Sequence, residues 1–189
     1  MHVSSGRDLV LAELAAYVAA TPGEAEARRQ IRTFIASHDD CFERSRAAGH
    51  VTGSAWVVDR CGRFALLTHH RKLDRWLQLG GHADGDPDIR AVALREATEE
   101  SGLRDIAPAA RGIFDLDVHP IPARGSVPEH VHYDIRFAFF ANSASAELPI
   151  ASDESHAVAW IPVAEIERYA IDDSVRRLVA KTPALVSAA

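Results

Sequence analysis

Residues 81–103 read GHADGDPDIRAVALREATEESGL, and the fold of the rest of the chain can be worked out from them. Glu96, Glu99 and Glu100 are related by i, i+3 and i+4, so on a helix all three leave from one face. Two carboxylates about 6 Å apart at an effective dielectric of about 20 repel by roughly 3 kcal/mol. A fold that keeps three together either leaves them in water or supplies a cation. Oxygen-only ligands of this kind suit Mg²⁺ or Mn²⁺. The ends of the helix are expected at Asp86, a good N-cap, with Pro87 in the first helical position, and at Gly102, a C-terminal stop. Ile89, Val92 and Ala93 fall on the glutamate side and Leu94 and Ala91 on the other. Such a helix is packed on more than one side, with its acids at a partly enclosed end.

Around this segment the chain has 189 residues, enough for one domain plus an extension. A net charge of −6 and a pI near 5.9 argue against a nucleic-acid polyanion as the main partner, though not against a small phosphate ester carried by a metal. Cys41 and Cys61 are the only cysteines, so no disulfide framework is implied and a reducing, cytoplasmic setting is expected. There is no secretory signal and no apolar run long enough to span a bilayer. Residues 1–50 read as a helical extension: Leu9, Val10, Leu14 and Val18 mark one helix, 24–37 a second, and 39–44 a short third turn. The pair is expected to pack on the domain or on a second subunit, so a homodimer is open. Strands are expected at 51–59, 64–69, 76–79, 112–118, 131–141 and 156–161, and helices at 163–169 and 173–181. Strands with interspersed helices imply an α/β layered fold. The domain is placed at 51–183, with a tail at 184–189.

The string 81–103 closely resembles the Nudix box, Gly-x5-Glu-x7-Arg-Glu-U-x-Glu-Glu-x-Gly-U, where U is a bulky aliphatic residue. Gly81, Arg95, Glu96, Glu99, Glu100, Gly102 and Leu103 match at the required spacing. Ala97 is smaller than the usual aliphatic residue, and Pro87 stands where the family has its first glutamate. The resemblance implies a Nudix-type α/β/α sandwich with a mixed sheet. It also implies metal-dependent hydrolysis of a phosphoric anhydride in a nucleoside diphosphate linked to another group. By the same resemblance Glu96, Glu99 and Glu100 are metal ligands, the Gly81 carbonyl is a further ligand, and Arg95 braces the glutamates. Glu154, in the segment before Trp160, matches a late acid that serves as ligand or general base, with Glu99 its competitor for the base. Asp84 or Asp88 is expected to replace the missing glutamate as the partner of Arg95.

Ten histidines set the chain apart. His82 follows Gly81 directly. His119, His130 and His132 flank the segment 120–129, and on a strand His130 and His132 face the same way. They are open to three roles: contacts to substrate phosphates, ligands of a transition metal, or polar surface. His82, His130, His132 and Arg71 are taken as the candidate substrate contacts.

Two other classes compete with the hydrolase. Isopentenyl-diphosphate isomerases share the Nudix fold and carry a Cys-Gly-His segment here, but the position of that cysteine is Gly80. They also lack the full Arg-Glu-x-x-Glu-Glu. A Nudix-fold nucleotide sensor is the third class, and such proteins usually lose box acids, which this chain keeps. Nothing in the sequence names the group attached to the diphosphate.

Overall fold

A computed structural model describes residues 6–142, 149 and 155–187. In chain order the elements are α1 (Gly6–Ala16), α2 (Pro22–Ser37), β1 (Gly49–Asp59), β2 (Phe64–His70), β3 (Arg75–Leu77), β4 (Leu79–His82) and α3 (Ile89–Ser101). They continue with β5 (Ile106–Pro108), β6 (Asp115–Ile121), β7 (His130–Ala141), β8 (Ser155–Pro162), a 3₁₀ helix (Val163–Arg168) and α4 (Asp173–Ser187).

The eight strands form one mixed sheet whose centre is the parallel pair β1 and β7. The other pairings are antiparallel: β1 with β2 and β4, β2 with β3 and β8, and β7 with β5 and β6. Every residue of β1 is buried, as a strand covered on both faces requires. On one face Val51, Ala55, Val57, Ile135, Phe137 and Phe139 meet Ile89, Val92 and Ala93 of α3 and the buried side chains of α1 and α2. On the other, Trp56, Val58, Ala138 and Phe140 meet Val175, Leu178 and Leu185 of α4. The Trp56 indole donates to the Thr182 hydroxyl at 3.0 Å. The result is the expected α/β sandwich, helices preceding the sheet.

The extension is tied in by polar contacts as well. Thr21 caps α2 by accepting from the Glu24 amide, with Pro22 in the first turn. The Glu24 carboxylate is buried, accepts from Tyr17 Oη at 2.5 Å and lies 3.0 Å from Lys181 Nζ of α4. Lys181 in turn reaches Asp115 of β6 at 2.8 Å. Phe34 of α2 stacks on Tyr133 of β7, ring centroids 3.9 Å apart.

Several boundaries differ from expectation. The strand expected at 76–79 is two strands, and the second runs on to His82 because Gly80, Gly81 and His82 pair with Ser54, Gly53 and Thr52. Gly81 is therefore on a strand. Helix α3 starts at Ile89, two residues later than Pro87 allows on propensity. Asp88, not Asp86, is its cap and accepts from the Ala91 amide at 3.0 Å. The Asp86 carboxylate instead accepts from the Asp88 amide at 2.9 Å, closing a local turn around Pro87. Gly102 ends α3 in the left-handed conformation, φ 71°, its amide donating to the Thr98 carbonyl at 2.8 Å. Strand β5 went unread because it is only three residues long. The stretch 163–168 is a 3₁₀ rather than an α-helix, and α4 continues past Lys181 to Ser187.

Candidate active site

Helix α3 lies against β1 and β4, and two glycines, Gly53 and Gly81, let it come close. A Cβ at Gly53 would sit 2.9 Å from the Ile89 carbonyl oxygen, and one at Gly81 only 2.3 Å from Glu96 Oε2. Glu96 thus rests its carboxylate directly on the Gly81 backbone. Glu100 Oε2 accepts from the Gly80 amide at 3.0 Å, and Gly80 has a φ of +158°. Glu99 is exposed, while Glu96 and Glu100 are half-buried.

Arg95 braces this group. Its Nη2 donates to Glu96 Oε1 at 3.1 Å and to the His82 carbonyl at 3.2 Å. Its Nη1 lies 4.0 Å from the Asp86 carboxylate. The expected replacement partners do other work: Asp88 caps α3, and Asp84 lies 3.8 Å from Arg44. Burial raises the Glu96 pKa above its ordinary value. Arg95 opposes this, and the charges of Glu99 and Asp84 add to it.

Pro87 makes a contact of another kind. A Cβ at Gly6 would stand 2.3 Å from Pro87 Cγ, so the first turn of α1 rests on the proline. Pro87 thereby serves the docking of the extension. Pro87→Glu is expected to change turnover by less than about tenfold, or 1.4 kcal/mol, in a steady-state assay. A large gain of hydrolysis from an otherwise silent wild type would instead mark the natural protein as a sensor.

Strand alternation separates the histidines from the acids. Gly53 and Gly81 pair across β1 and β4, and a Cβ on either would point at α3. Their neighbours Thr52 and His82 therefore point to the opposite face of the sheet. There His82 meets His50 and His132, ring centroids 5.0 and 5.3 Å away. His130 and His132 are 5.1 Å apart, and His119 is 5.6 Å from His132. Burial, then the neighbouring Arg44, lowers the His82 pKa to about 4, and burial, then His82, lowers that of His132 to about 2. The His82 and His132 rings are therefore neutral near pH 7.

Sequence reading missed His50. Its partner across the parallel pair is His132, 82 residues away, and no local signal announces that register. The same reading missed the network beyond the histidines. Asp134 accepts from Thr52 at 2.9 Å and Ser54 at 2.8 Å, and Arg136 reaches Asp134 at 2.7 Å, Asp117 at 3.2 Å and Asp115 at 3.3 Å. Arg71 is on the turn after β2, where its Nη2 donates to the Ser155 carbonyl at 3.1 Å. Glu154 lies outside the described residues.

The sequence matches the family model of the NUDIX domain over residues 49–181. The chain belongs to the Nudix family. It is accordingly a Nudix hydrolase, a pyrophosphohydrolase by class. Among solved structures it is similar to an Ap4A hydrolase from C. elegans, with 15% identity, 74% of this chain and 98% of that one covered, and a TM-score of 0.50. It is also similar to a NUDIX-family hydrolase from Clostridium perfringens, with 23% identity, 72% and 95% covered, and a TM-score of 0.47. A third is the NUDIX domain of NrtR from Shewanella oneidensis, solved with ADP ribose, with 15% identity, 80% and 95% covered, and a TM-score of 0.49. No curated protein matches the sequence. The C. elegans likeness bears on the Nudix fold alone. Nudix hydrolases generally use divalent metal ions. Among the described residues no helix is long and apolar enough to cross a membrane.

Proposed function

We propose that this Nudix hydrolase cleaves the phosphoric anhydride of a nucleoside diphosphate linked to a second group. Mg²⁺ or Mn²⁺ would be held by Glu96, Glu99, Glu100, the Gly81 carbonyl and Glu154. The observation that carries this reading is the Glu96 carboxylate seated on the side-chain-free Gly81 backbone, with Glu100 anchored one residue away on the Gly80 amide. A side chain at Gly81 would fill that cradle. The donors are all oxygen, and three carboxylates stand on one helix face beside Arg95, so a hard divalent ion fits. When bound, such an ion supplies neutralisation of charge on the phosphoryl oxygens and a more acidic attacking water.

The chain's own residues do the rest. Arg95 holds Glu96 and the His82 carbonyl together, which keeps the Gly81 backbone and the carboxylate in register. The Gly80 amide orients Glu100. The general base is assigned to Glu99 or Glu154, and Gln variants with a pH–rate profile separate the two. Arg71, tied to the residue after Glu154, is assigned a contact to a substrate phosphate. A small-molecule substrate, a homodimer and a cytoplasmic setting complete the proposal. Cys41 and Cys61 are both free thiols, as a reducing compartment would keep them.

The test is a substrate panel on metal-stripped protein: a nucleotide sugar, a dinucleotide, an oxidised nucleoside triphosphate and a non-nucleotide diphosphate. Chelation is expected to abolish phosphate-releasing turnover, and Mg²⁺ or Mn²⁺ to restore it. Binding without turnover throughout would indicate a sensor. A shifted double bond in isopentenyl diphosphate would indicate an isomerase, although Gly80 offers no thiol for that proton transfer.

A further inference from the structure

We propose that His50, His130 and His132 form a second metal site that takes a transition-metal ion, Zn²⁺ before others, on the sheet face opposite the glutamates. His50 is 3% exposed, yet among the described residues neither of its ring nitrogens has a hydrogen-bond partner. The Arg46 backbone lies nearby without meeting hydrogen-bond geometry, and its carbonyl could at most serve one of the two nitrogens. A buried imidazole without a partner is costly unless something takes its lone pair.

The other two rings are poised to share that partner. His130 Nε2 and His132 Nε2 are 3.3 Å apart. Two nitrogens each about 2.0–2.1 Å from a tetrahedral ion stand about 3.3 Å from one another. One ligand nitrogen from each of the three histidines lies within 4.8 Å of the others, so an ion needs only a small inward shift of His50. His130 Nδ1 lies 2.9 Å from the Pro128 carbonyl, which can only accept. In the neutral ring this contact puts the proton on Nδ1 and leaves Nε2 to offer its lone pair toward His132.

The strands hold this geometry. His50 pairs with His132 in the parallel register of β1 and β7, and His130 is two residues earlier on the same face. His82 and His119 flank the three rings, and His119 Nδ1 is held by Asp117 Oδ2 at 2.9 Å. Neutral imidazoles select zinc and its transition-metal neighbours over Mg²⁺, whose preference for oxygen belongs to the glutamate site. Three protein ligands leave one coordination position open.

The experiment uses the full chain, stripped with a chelator and titrated with Zn²⁺ by calorimetry and with Co²⁺ by visible absorption, in excess Mg²⁺. One equivalent of Zn²⁺ is expected to bind to the wild type and to Glu100→Gln alike, with Co²⁺ giving a four-coordinate spectrum. His132→Ala and His50→Ala are expected to weaken binding at least about a hundredfold, with folding checked by circular dichroism. If either fails to fold, the half-buried His130→Gln is used in its place. Absence of Zn²⁺ binding in the wild type would overturn the proposal. So would binding that survives the histidine variants and is lost in Glu100→Gln. Because the readout is stoichiometric binding in a box variant, failure here leaves the hydrolase reading untouched, and loss of hydrolysis leaves this one untouched.

Discussion

Glu100→Gln is expected to lower turnover at least about a hundredfold while the protein stays folded. The glutamine side-chain oxygen can still accept from the Gly80 amide, now made at 3.0 Å by Glu100 Oε2, so the local structure keeps its hydrogen bond. What disappears is one negative charge on the face proposed to hold the divalent ion. A charge that stabilises the transition state through a metal is worth several kcal/mol, and each 1.4 kcal/mol is about tenfold in rate. Steady-state kinetics with saturating Mg²⁺, beside an unfolding curve, checks both halves. A fully active Glu100→Gln protein would sink the assignment.

Arg136→Met is expected to destabilise the fold by about 3–5 kcal/mol, the range for removing one partner of a buried charge network. Arg136 is 1% exposed and lies among Asp115, Asp117 and Asp134. Arg177 and Lys181 still serve Asp115, and Arg177 still serves Asp117. Asp134 would keep only the hydroxyls of Thr52 and Ser54. The penalty is therefore concentrated on Asp134, and Asp134→Asn in the same background should recover part of it. Urea midpoints with an unchanged slope measure both. A loss under about 1 kcal/mol would show that the network is dispensable.

The same network sets an acid limit. Burial works against ionisation of Asp117, but its hydrogen bond with His119 and the charges of Arg136 and Arg177 outweigh that and hold it well below the usual carboxylate range. A depressed carboxylate contributes stability above its unfolded pKa of about 3.9 and loses it as pH falls toward the folded value. The urea midpoint should therefore drop below about pH 4 less steeply in Asp117→Asn than in the wild type.

What the sequence made legible is what is periodic or local. The three glutamates, Arg95 and Gly102 could be placed because helix spacing and capping act within a few residues. The alternation of His130 and His132 was visible for the same reason. His50 was not, because its meaning depends on a parallel pairing with a residue 82 positions further along the chain. The start of α3 was misread because Asp86 and Asp88 are both good caps, and only the turn around Pro87 chooses between them. The run of Gly80 and Gly81 looked like a loop because glycines break strands by propensity. Here they continue one, since Glu96 leaves no room for a side chain at Gly81 and the β1 backbone at Gly53 and Ser54 leaves none at Gly80.

Gly6 on Pro87, Phe34 on Tyr133 and Glu24 beside Lys181 together mean that inheritance and packing draw different borders on this chain. The match to the family model starts at residue 49. The oil-like interior starts forty residues sooner, with Val10 and Leu14. A laboratory that trimmed the gene to the matched part would strip the lining from one wall of the sheet and leave Tyr133, on which Phe34 stacks, partly wetted. The insoluble product expected from that cut would say nothing about the chemistry of the glutamates.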